Sequence, residues 1–292
     1  DIASVIARNC SKLERLEARF EASALAAFCE STPKLSTLRV GSSKLGPDDC
    51  RAIGNHLKAL EELELRDQPF GDAGFEALAE SENLSQLRVL RLQDCDLRKS
   101  GLEAWAARPA SSLAELDLTA NDELDGEAVV QLCESSNAEH LRSLSLEASR
   151  LRESDFDRIA RCSTLAKLDS LTLRGANLNK KILDRLLTSP AAQGLQALDL
   201  GYPTDRRRRL KDVKPFVAAS ALCRLRRLGL AGHDLGHAFG VVEALAASEY
   251  LKELEELDLS NNQPEAPIED YELEELRDAG LPRLREIESG GD

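Results

Sequence analysis

The stretch Leu113-Ala-Glu-Leu-Asp-Leu-Thr-Ala-Asn121 decides the fold of this chain of 292 residues. After its first leucine, polar and apolar residues alternate, which is the period of a β-strand with one buried face. Leu116 and Leu118 are therefore expected to point into a core, while the polar residues between them face solvent. The stretch Leu254-Glu-Glu-Leu-Asp-Leu-Ser-Asn-Asn262 repeats the pattern and predicts a second such strand.

The same Leu-x-x-Leu-x-Leu unit recurs along the chain at steps of 25 to 30 residues. Its nine clear copies cover residues 35–280, and degenerate copies occupy 13–34 and 281–292. Length alone would favour two domains of roughly 100–200 residues each, but an internal repeat overrides that expectation. The sequence therefore predicts one repeat domain over residues 1–292. The clear copies begin at Leu35, Leu60, Leu87, Leu113, Leu141, Leu168, Leu195, Leu225 and Leu254.

The segment after each strand has the spacing of an amphipathic helix. Apolar residues recur three and four positions apart, as in Leu102, Trp105 and Ala106. Each unit should thus contain a strand, a turn, a helix and a second turn, and units must stack because one unit cannot bury its own apolar face. Helices are about 10 Å wide and strands lie about 4.8 Å apart. We therefore expect a curved α/β solenoid, with parallel strands on the concave face and helices on the convex face.

These residues resemble the leucine-rich-repeat family, and within it the ribonuclease-inhibitor-like class of long repeats. The stretch from Leu60 to Leu78, Leu-Glu-Glu-Leu-Glu-Leu and then Phe-Gly-Asp-Ala-Gly-Phe-Glu-Ala-Leu, is similar to the repeat of that class. The resemblance implies an asparagine at the turn after each strand, bonded to the backbone of neighbouring coils. Because few copies keep asparagine, we expect the row of turn hydrogen bonds between coils, the turn ladder, to be irregular. Serine and cysteine side chains should make part of these hydrogen bonds. The equivalent positions hold Ser43, Gln68, Cys95, Asn121, Ser149, Ala176, Pro203, His233 and Asn262.

The composition restricts the classes of partner and compartment. The chain carries 52 acidic and 38 basic residues, a net charge of −14, which repels nucleic-acid phosphate and anionic lipid at long range. Seven scattered cysteines are typical of reduced thiols rather than of a disulfide framework. With no secretory leader or long apolar run, the sequence predicts an intracellular, cytoplasmic protein, with a nuclear location as an alternative. Two Asn-x-Ser sequons, at Asn9 and Asn83, favour instead a secreted glycoprotein.

Signatures of catalysis are missing from the sequence. There is no Gly-x-x-x-x-Gly-Lys loop, no Gly-x-Ser-x-Gly elbow and no His-Glu-x-x-His motif. One cluster, of His233, Asp234 and His237, could hold a divalent metal. His233 falls at the turn position described above, however, so a hydrogen-bonded turn histidine is the favoured interpretation. The sequence thus predicts a protein without enzymatic activity, bound metal or cofactor.

Alternation also identifies the residues of the concave face. This face is polar, carries both signs of charge and lacks aromatic rings. It suits a folded protein partner rather than a small apolar ligand, and its acidic residues favour a basic patch on that partner. The charged candidates for partner binding are Arg39, Glu62, Glu64, Arg66, Arg91, Glu115, Asp117, Glu147, Arg174, Asp199, Arg227, Glu256 and Asp258.

A basic insertion at 201–214 is the main local exception to the acidic composition. Its candidate binding residues are Tyr202 and the run Arg206, Arg207, Arg208 and Arg209. The run could bind an anion or an acidic peptide, or act as a nuclear import signal. The alternative is a solvated insertion that tolerates charge. One basic run beside one tyrosine offers few phosphate contacts and little stacking, so nucleic-acid binding is not favoured.

Together these features predict a non-enzymatic scaffold that binds another protein through the concave strand face, the 201–214 insertion or both. Two alternatives remain. The sequence is similar in repeat number and C-terminal acidity to proteins that activate Ran GTPase, and this resemblance implies a GTPase regulator. The second alternative is the recognition domain of a larger ubiquitin-ligase receptor or immune sensor.

Overall fold

The computed structural model describes residues 12–20, 24–109, 111–149, 151–236, 238–262 and 270–290. The chain divides into two compact units, Asp1–Arg150 and Leu151–Asp292. Both units are built from the same coil, a short strand followed by a turn and a helix. The α/β leucine-rich-repeat fold is therefore confirmed. A single domain over residues 1–292 stays a prediction beside this division into units.

Six parallel strands are found in the described residues of the first unit, and each pairs with the next in chain order. The first strand comes from the degenerate copy at 13–34, so that copy also contributes to the sheet. The strands are β1 (Arg15–Ala18), β2 (Thr37–Gly41), β3 (Glu62–Arg66), β4 (Val89–Gln93), β5 (Glu115–Asp117) and β6 (Ser143–Ser145). The helices are α1 (Ala24–Ser31), α2 (Pro47–His56), α3 (Gly71–Ala79), α4 (Ser100–Ala106) and α5 (Gly126–Glu134).

The second unit repeats this order with five strands in its described residues, again parallel and paired in sequence. None of the helices in the described ranges of either unit is long and apolar enough to cross a membrane. The strands are β7 (Ser170–Thr172), β8 (Ala197–Asp199), β9 (Arg227–Gly229), β10 (Glu256–Asp258) and β11 (Glu286–Glu288). The helices are α6 (Glu153–Arg161), α7 (Lys180–Leu187), α8 (Lys214–Val217), α9 (Ala238–Ala246) and α10 (Asp270–Ala279).

Each of the nine clear copies leaves its strand through a residue with a positive φ, 55° at Asp67 and 59° at Ala120. This left-handed conformation is rare for residues other than glycine, and here it turns the chain out of the strand. The next residue is the turn position that the resemblance assigns to asparagine. The backbone of the turn is thus regular although its side chains differ. The positive-φ residues just before the turn position are Ser42, Asp67, Asp94, Ala120, Ala148, Gly175, Tyr202, Gly232 and Asn261.

Side chains at the turn position bond to the backbone of the adjacent coil. Asn121 Oδ1 accepts hydrogen bonds from the N–H groups of Cys95 and Leu97 at 3.0 and 3.1 Å. Gln68 does the same for the coil before it, at 3.3 and 3.0 Å. The thiol of Cys95 donates to the carbonyl of Leu65, and the hydroxyl oxygen of Ser43 accepts from the N–H of Phe20 at 2.8 Å, both in the preceding coil. Serine and cysteine therefore serve in the ladder as the sequence predicts, and glutamine serves as well.

Leucines of the strands and the apolar faces of the helices form the core. Leu116 and Leu118 are fully buried, as the alternation predicts. Trp105 is also fully buried and stacks on Phe75 with 5.4 Å between ring centroids. The six cysteines in the described residues are free thiols, and burial raises the pKa of Cys29 to about 12. Cys29 is therefore protonated at neutral pH and acts as a small apolar side chain.

Candidate partner-binding strand face

The strands of the first unit bring six of the predicted charged residues into two rows, and Arg66 lies beside Gly41 and Gln93 in a third. Because the strands are parallel and in register, residues at matching positions lie side by side on the solvent-facing surface. The first row contains Arg39, Glu64, Arg91 and Asp117, and the second contains Glu62 and Glu115.

Arg91 is the centre of an ion-pair network on this surface. Its guanidinium lies 2.8 Å from Glu62, 2.6 Å from Glu115 and 3.5 Å from Glu64. Arg39 holds Glu62 from the other side at 2.8 Å. Only 24% of the Arg91 side chain and 12% of the Glu64 side chain is exposed. These pairs are therefore screened less by salt than fully exposed pairs.

The network favours the ionised form of Glu62. Burial opposes the ionisation of Glu62, but hydrogen bonds from Arg39 and Arg91 outweigh burial and hold the pKa of Glu62 below its ordinary value. Asp117 is engaged by the side-chain amide of Gln93, which donates to it. The strand face of the first unit thus neutralises much of its own charge. Its acidic residues are less available to a partner than the sequence alone suggests.

We expect Arg91→Ala to lower the free energy of unfolding by about 2 kcal/mol, because three carboxylates would lose their shared cation. The loss should shrink when sodium chloride is raised from about 0.05 to about 1 M, since salt screens repulsion among those carboxylates. Urea denaturation at both salt concentrations measures the effect. Arg66→Ala is the control, because the Arg66 side chain is 54% exposed and its ion pair is with Glu64. That variant should lose under about 0.5 kcal/mol, and equal losses would contradict the central role of Arg91.

The strand face of the second unit contains a groove of about 380 Å³. Gly229 occupies the face position of β9, between Asp199 on β8 and Asp258 on β10. A Cβ at residue 229 would lie 2.5 Å from Asp199 Oδ1, so the Asp199 carboxylate lies over Gly229 in space that only glycine leaves free. The polar and small residues that line this strand-face groove are Ser170, Thr172, Arg174, Ala197, Asp199, Arg227, Gly229, Glu256, Asp258, Glu286 and Glu288.

Acidic residues outnumber basic residues in the strand-face groove. The ion pairs there are also longer than those around Arg91, at 3.4 Å for Arg174–Asp199 and 4.0 Å for Arg227–Glu256. Burial raises the pKa of Asp199 above its ordinary value, and the negative charge of Asp258 adds to the shift. The groove therefore presents negative charge that its own arginines balance only in part. The acidic residues are Asp199, Glu256, Asp258, Glu286 and Glu288, and the basic ones are Arg174 and Arg227.

Sequence and structure differ at the edges of this face. The alternation signal is weak in the degenerate copy at 281–292, so the sequence does not predict Glu286 and Glu288, which the pairing of β10 with β11 places beside the β10 carboxylates. The close approach of Asp199 to Gly229 has a signal in the sequence, since glycine replaces a polar residue between two leucines of the repeat. Glu147, a predicted face residue, lies beyond the end of β6.

The basic insertion at 201–214 is largely paired within the second unit. Three of its four consecutive arginines form ion pairs with acidic residues. Arg207 remains 90% exposed despite its pair, and Arg206 is exposed as well. The Arg174 guanidinium lies 4.7 Å from the ring centroid of Tyr202, whose hydroxyl accepts a hydrogen bond from Asn261 at 2.8 Å. The insertion thus keeps two arginines accessible, while Tyr202 is held by its neighbours. The pairs are Arg207 with Asp205, Arg208 with Glu153 and Arg209 with Asp234.

His233 occupies the turn position and uses both ring nitrogens there. Nδ1 accepts a hydrogen bond from the N–H of Leu210 at 3.0 Å, and Nε2 lies 3.1 Å from the carbonyl of Leu200, to which it donates in this tautomer. Burial lowers the pKa of His233 to about 4, so the ring is neutral at physiological pH. His237, from the alternative metal interpretation, lies outside the described residues, and within them no cluster of metal-binding side chains occurs. The geometry supports the turn interpretation.

Sequence comparison relates the chain to ribonuclease inhibitors. It is 29% identical over 219 residues to the ribonuclease inhibitor of Sus scrofa, and this match covers 70% of this chain and 47% of that protein. It is 35% identical over 120 residues to the ribonuclease inhibitor of Mus musculus, which covers 39% of this chain and 26% of that protein. The chain therefore spans about half or less of the length of these curated relatives. No family model matches the chain.

Solved structures of low sequence identity share the fold. An internalin (InlF) from Listeria monocytogenes matches with a TM-score of 0.52 at 17% identity, over 99% of this chain and 88% of that one. A structure of the Rad7 and Elc1 complex from yeast matches with a TM-score of 0.54 at 16% identity, over 98% of this chain and 81% of that one. A structure of TLR13 in complex with single-stranded RNA matches with a TM-score of 0.54 at 19% identity, over 97% of this chain and 44% of that one. The repeated coil, its turn hydrogen bonds and these similarities together show that the chain has the leucine-rich-repeat fold.

Proposed function

We propose that this protein is a non-enzymatic scaffold that binds another protein through the strand-face groove of its second unit. The observation that carries the proposal is the charge of this groove, where five carboxylates face two arginines. In the first unit, by contrast, Arg91 and Arg39 pair with the acidic residues at 2.6 to 2.8 Å. A lysine or arginine side chain of a partner would meet the carboxylates of Asp199, Glu256 and Asp258 in this groove. A folded protein with a basic patch is therefore the complementary ligand.

The curated relatives support a protein as the partner. By its name, the Sus scrofa relative inhibits a ribonuclease, which is itself a protein. The yeast Rad7 structure was solved as a complex with Elc1. We extend protein binding to this chain but not the identity of either target, because the chain spans only 47% of the Sus scrofa protein.

Other classes of function have less support. TLR13 was solved with single-stranded RNA, but carboxylates in the strand-face groove repel phosphate. The exposed cations of the 201–214 insertion form one short basic patch, of Arg206, Arg207, Lys211 and Lys214. The GTPase-regulator and receptor-recognition hypotheses stay predictions, as do the absence of catalysis and the intracellular location.

The test uses the native chain and three charge variants as affinity baits in cell extract. The protein captured by the native chain is then purified and titrated against each form by calorimetry. We expect the groove variant to weaken binding about tenfold or more, and each control to change affinity less than about twofold. The groove variant is Glu256→Gln with Asp258→Asn, the first-unit control is Glu115→Gln with Asp117→Asn, and the insertion control is Arg206→Ser with Arg207→Ser.

The pattern of losses decides between the surfaces. A partner that loses affinity only for the insertion control would place recognition on the 201–214 insertion. A partner that binds all four forms equally would contradict the strand-face proposal. Raising salt from about 0.05 to about 0.5 M should weaken the native complex if complementary charge drives it.

A further inference from the structure

A second groove, of about 540 Å³, lies between the C-terminal ends of α3 and α4 in the first unit. Its described lining residues come from the ends of these helices and the segments after them, and none belongs to a strand. Ala79, Ala104 and Pro109 contribute apolar walls, while Arg108 and Ser111 contribute polar groups. This helix-end groove is therefore separate from the strand-face groove, and its role does not depend on the function proposed above.

Arg108 is a cation in this groove with no carboxylate partner among the described residues. Its Nη1 donates to the carbonyl of Leu78 at 3.0 Å and to the carbonyl of Ala79, the last residues of α3. Its guanidinium lies 4.7 Å from the ring centroid of Trp105. Burial is the cause that lowers the pKa of Arg108 below its ordinary value. The backbone and the ring thus fix the position of a partly desolvated positive charge that an anionic ligand would stabilise.

Several polar atoms around Arg108 have no hydrogen-bond partner in the described chain. They are Arg108 Nε, Trp105 Nε1 and Ser111 Oγ. Ser111 is only 7% exposed and lines the groove, and Trp105 lies fully buried against Arg108. Asn137 holds this segment in place, because its Nδ2 donates to the carbonyls of Trp105 and Arg108 at 3.2 and 3.0 Å. Buried polar groups are normally hydrogen-bonded, so an acceptor that enters the groove would meet donors already fixed in position.

We propose that the helix-end groove binds the C-terminal carboxylate of a partner peptide that ends in an apolar residue. The carboxylate is complementary to the guanidinium of Arg108 and the hydroxyl of Ser111, and the apolar side chain would pack against the alanine and proline walls. Glu80 and Glu82 are exposed on the same groove. They repel additional negative charge, which favours a single carboxylate over an acidic run or a phosphate group.

Trp105 makes the proposal measurable, because it is the single tryptophan of the chain and gives one indole N–H resonance. We would titrate the full chain with N-acetyl-leucine, with N-acetyl-leucinamide, and with N-acetyl-aspartate amidated at its α-carboxyl. N-acetyl-leucine should shift the resonance saturably, with a dissociation constant on the order of 1 mM for so small a probe. N-acetyl-leucinamide and the amidated N-acetyl-aspartate should bind at least about tenfold more weakly, a difference of about 1.4 kcal/mol in binding free energy.

Variants locate the response within the groove. Arg108→Gln should abolish the shift by N-acetyl-leucine, whereas Arg51→Gln, on the exposed surface of α2, should leave it unchanged. Because Arg108→Gln also removes contacts to α3, Ser111→Ala provides a second test and should weaken binding about fivefold. Glu82→Gln should tighten binding about twofold. Equal shifts by the leucine acid and its amide, equal binding of the aspartate side chain, or unchanged affinity in Ser111→Ala would overturn the proposal.

Discussion

Asn121→Ala is expected to lower the free energy of unfolding by about 4 kcal/mol, because it strips two coils of the hydrogen bonds that join them. Oδ1 of Asn121 accepts from the N–H groups of Cys95 and Leu97 at 3.0 and 3.1 Å. Its Nδ2 donates to the carbonyls of Leu92 and Leu118 at 2.7 and 2.9 Å. The residue is 1% exposed, so water does not readily replace the amide. Each buried backbone group left without a partner costs about 1–3 kcal/mol.

Urea denaturation followed by circular dichroism measures this loss. Ser149→Ala is the matched control at the same turn position, since Ser149 is 7% exposed and its Oγ donates one hydrogen bond, to the carbonyl of Leu146 at 2.7 Å. Losing that bond should cost about 1 kcal/mol. If Asn121→Ala cost no more than Ser149→Ala, the turn amide would not join the coils as the hydrogen bonds indicate.

The architecture of this protein follows from its sequence because the signal repeats. Alternation around Leu116 predicts a strand and its buried side, and parallel register then places Arg91 beside the acidic residues of β3 and β5. Turn chemistry is less predictable. Gln68 and His233 bond to the backbone as asparagine does elsewhere, but whether a longer side chain reaches the backbone depends on the local shape of the coil.

The binding surfaces are predictable only in part. Sequence periodicity shows which residues share a face, but it does not show which of them neutralise one another. Arg91 bonds to Glu62 and Glu115, which lie in the next row, and that choice depends on side-chain rotamers. Arg208 pairs with Glu153, far away in sequence, which no local pattern indicates. The groove around Arg108 has no sequence signal, since its unpaired donors come from packing at the ends of two helices.

Lowering the pH from about 7 to about 4 is expected to destabilise the native chain by about 3 kcal/mol more than a His233→Gln variant. Burial lowers the pKa of His233 from its ordinary 6.5 to about 4. Between these values the unfolded chain binds a proton on this histidine and the folded chain does not. Stability therefore falls as the pH falls through this window, and the contribution of His233 is fully present above it.

Urea denaturation at intervals from about pH 4 to pH 7 tests the sign as well as the size of this effect, because the native chain should show a steeper slope by up to about 1.4 kcal/mol per pH unit. His140→Asn, at an exposed histidine, should retain the native slope. Glutamine is the informative replacement because Gln68 already serves at an equivalent turn, so His233→Gln can keep turn hydrogen bonds while removing the titrating group. Parallel curves for the native chain and His233→Gln would mean that the ring takes up its proton equally well in the folded and unfolded states. The interpretation of His233 as a neutral ring with a hydrogen bond at each nitrogen would then be wrong.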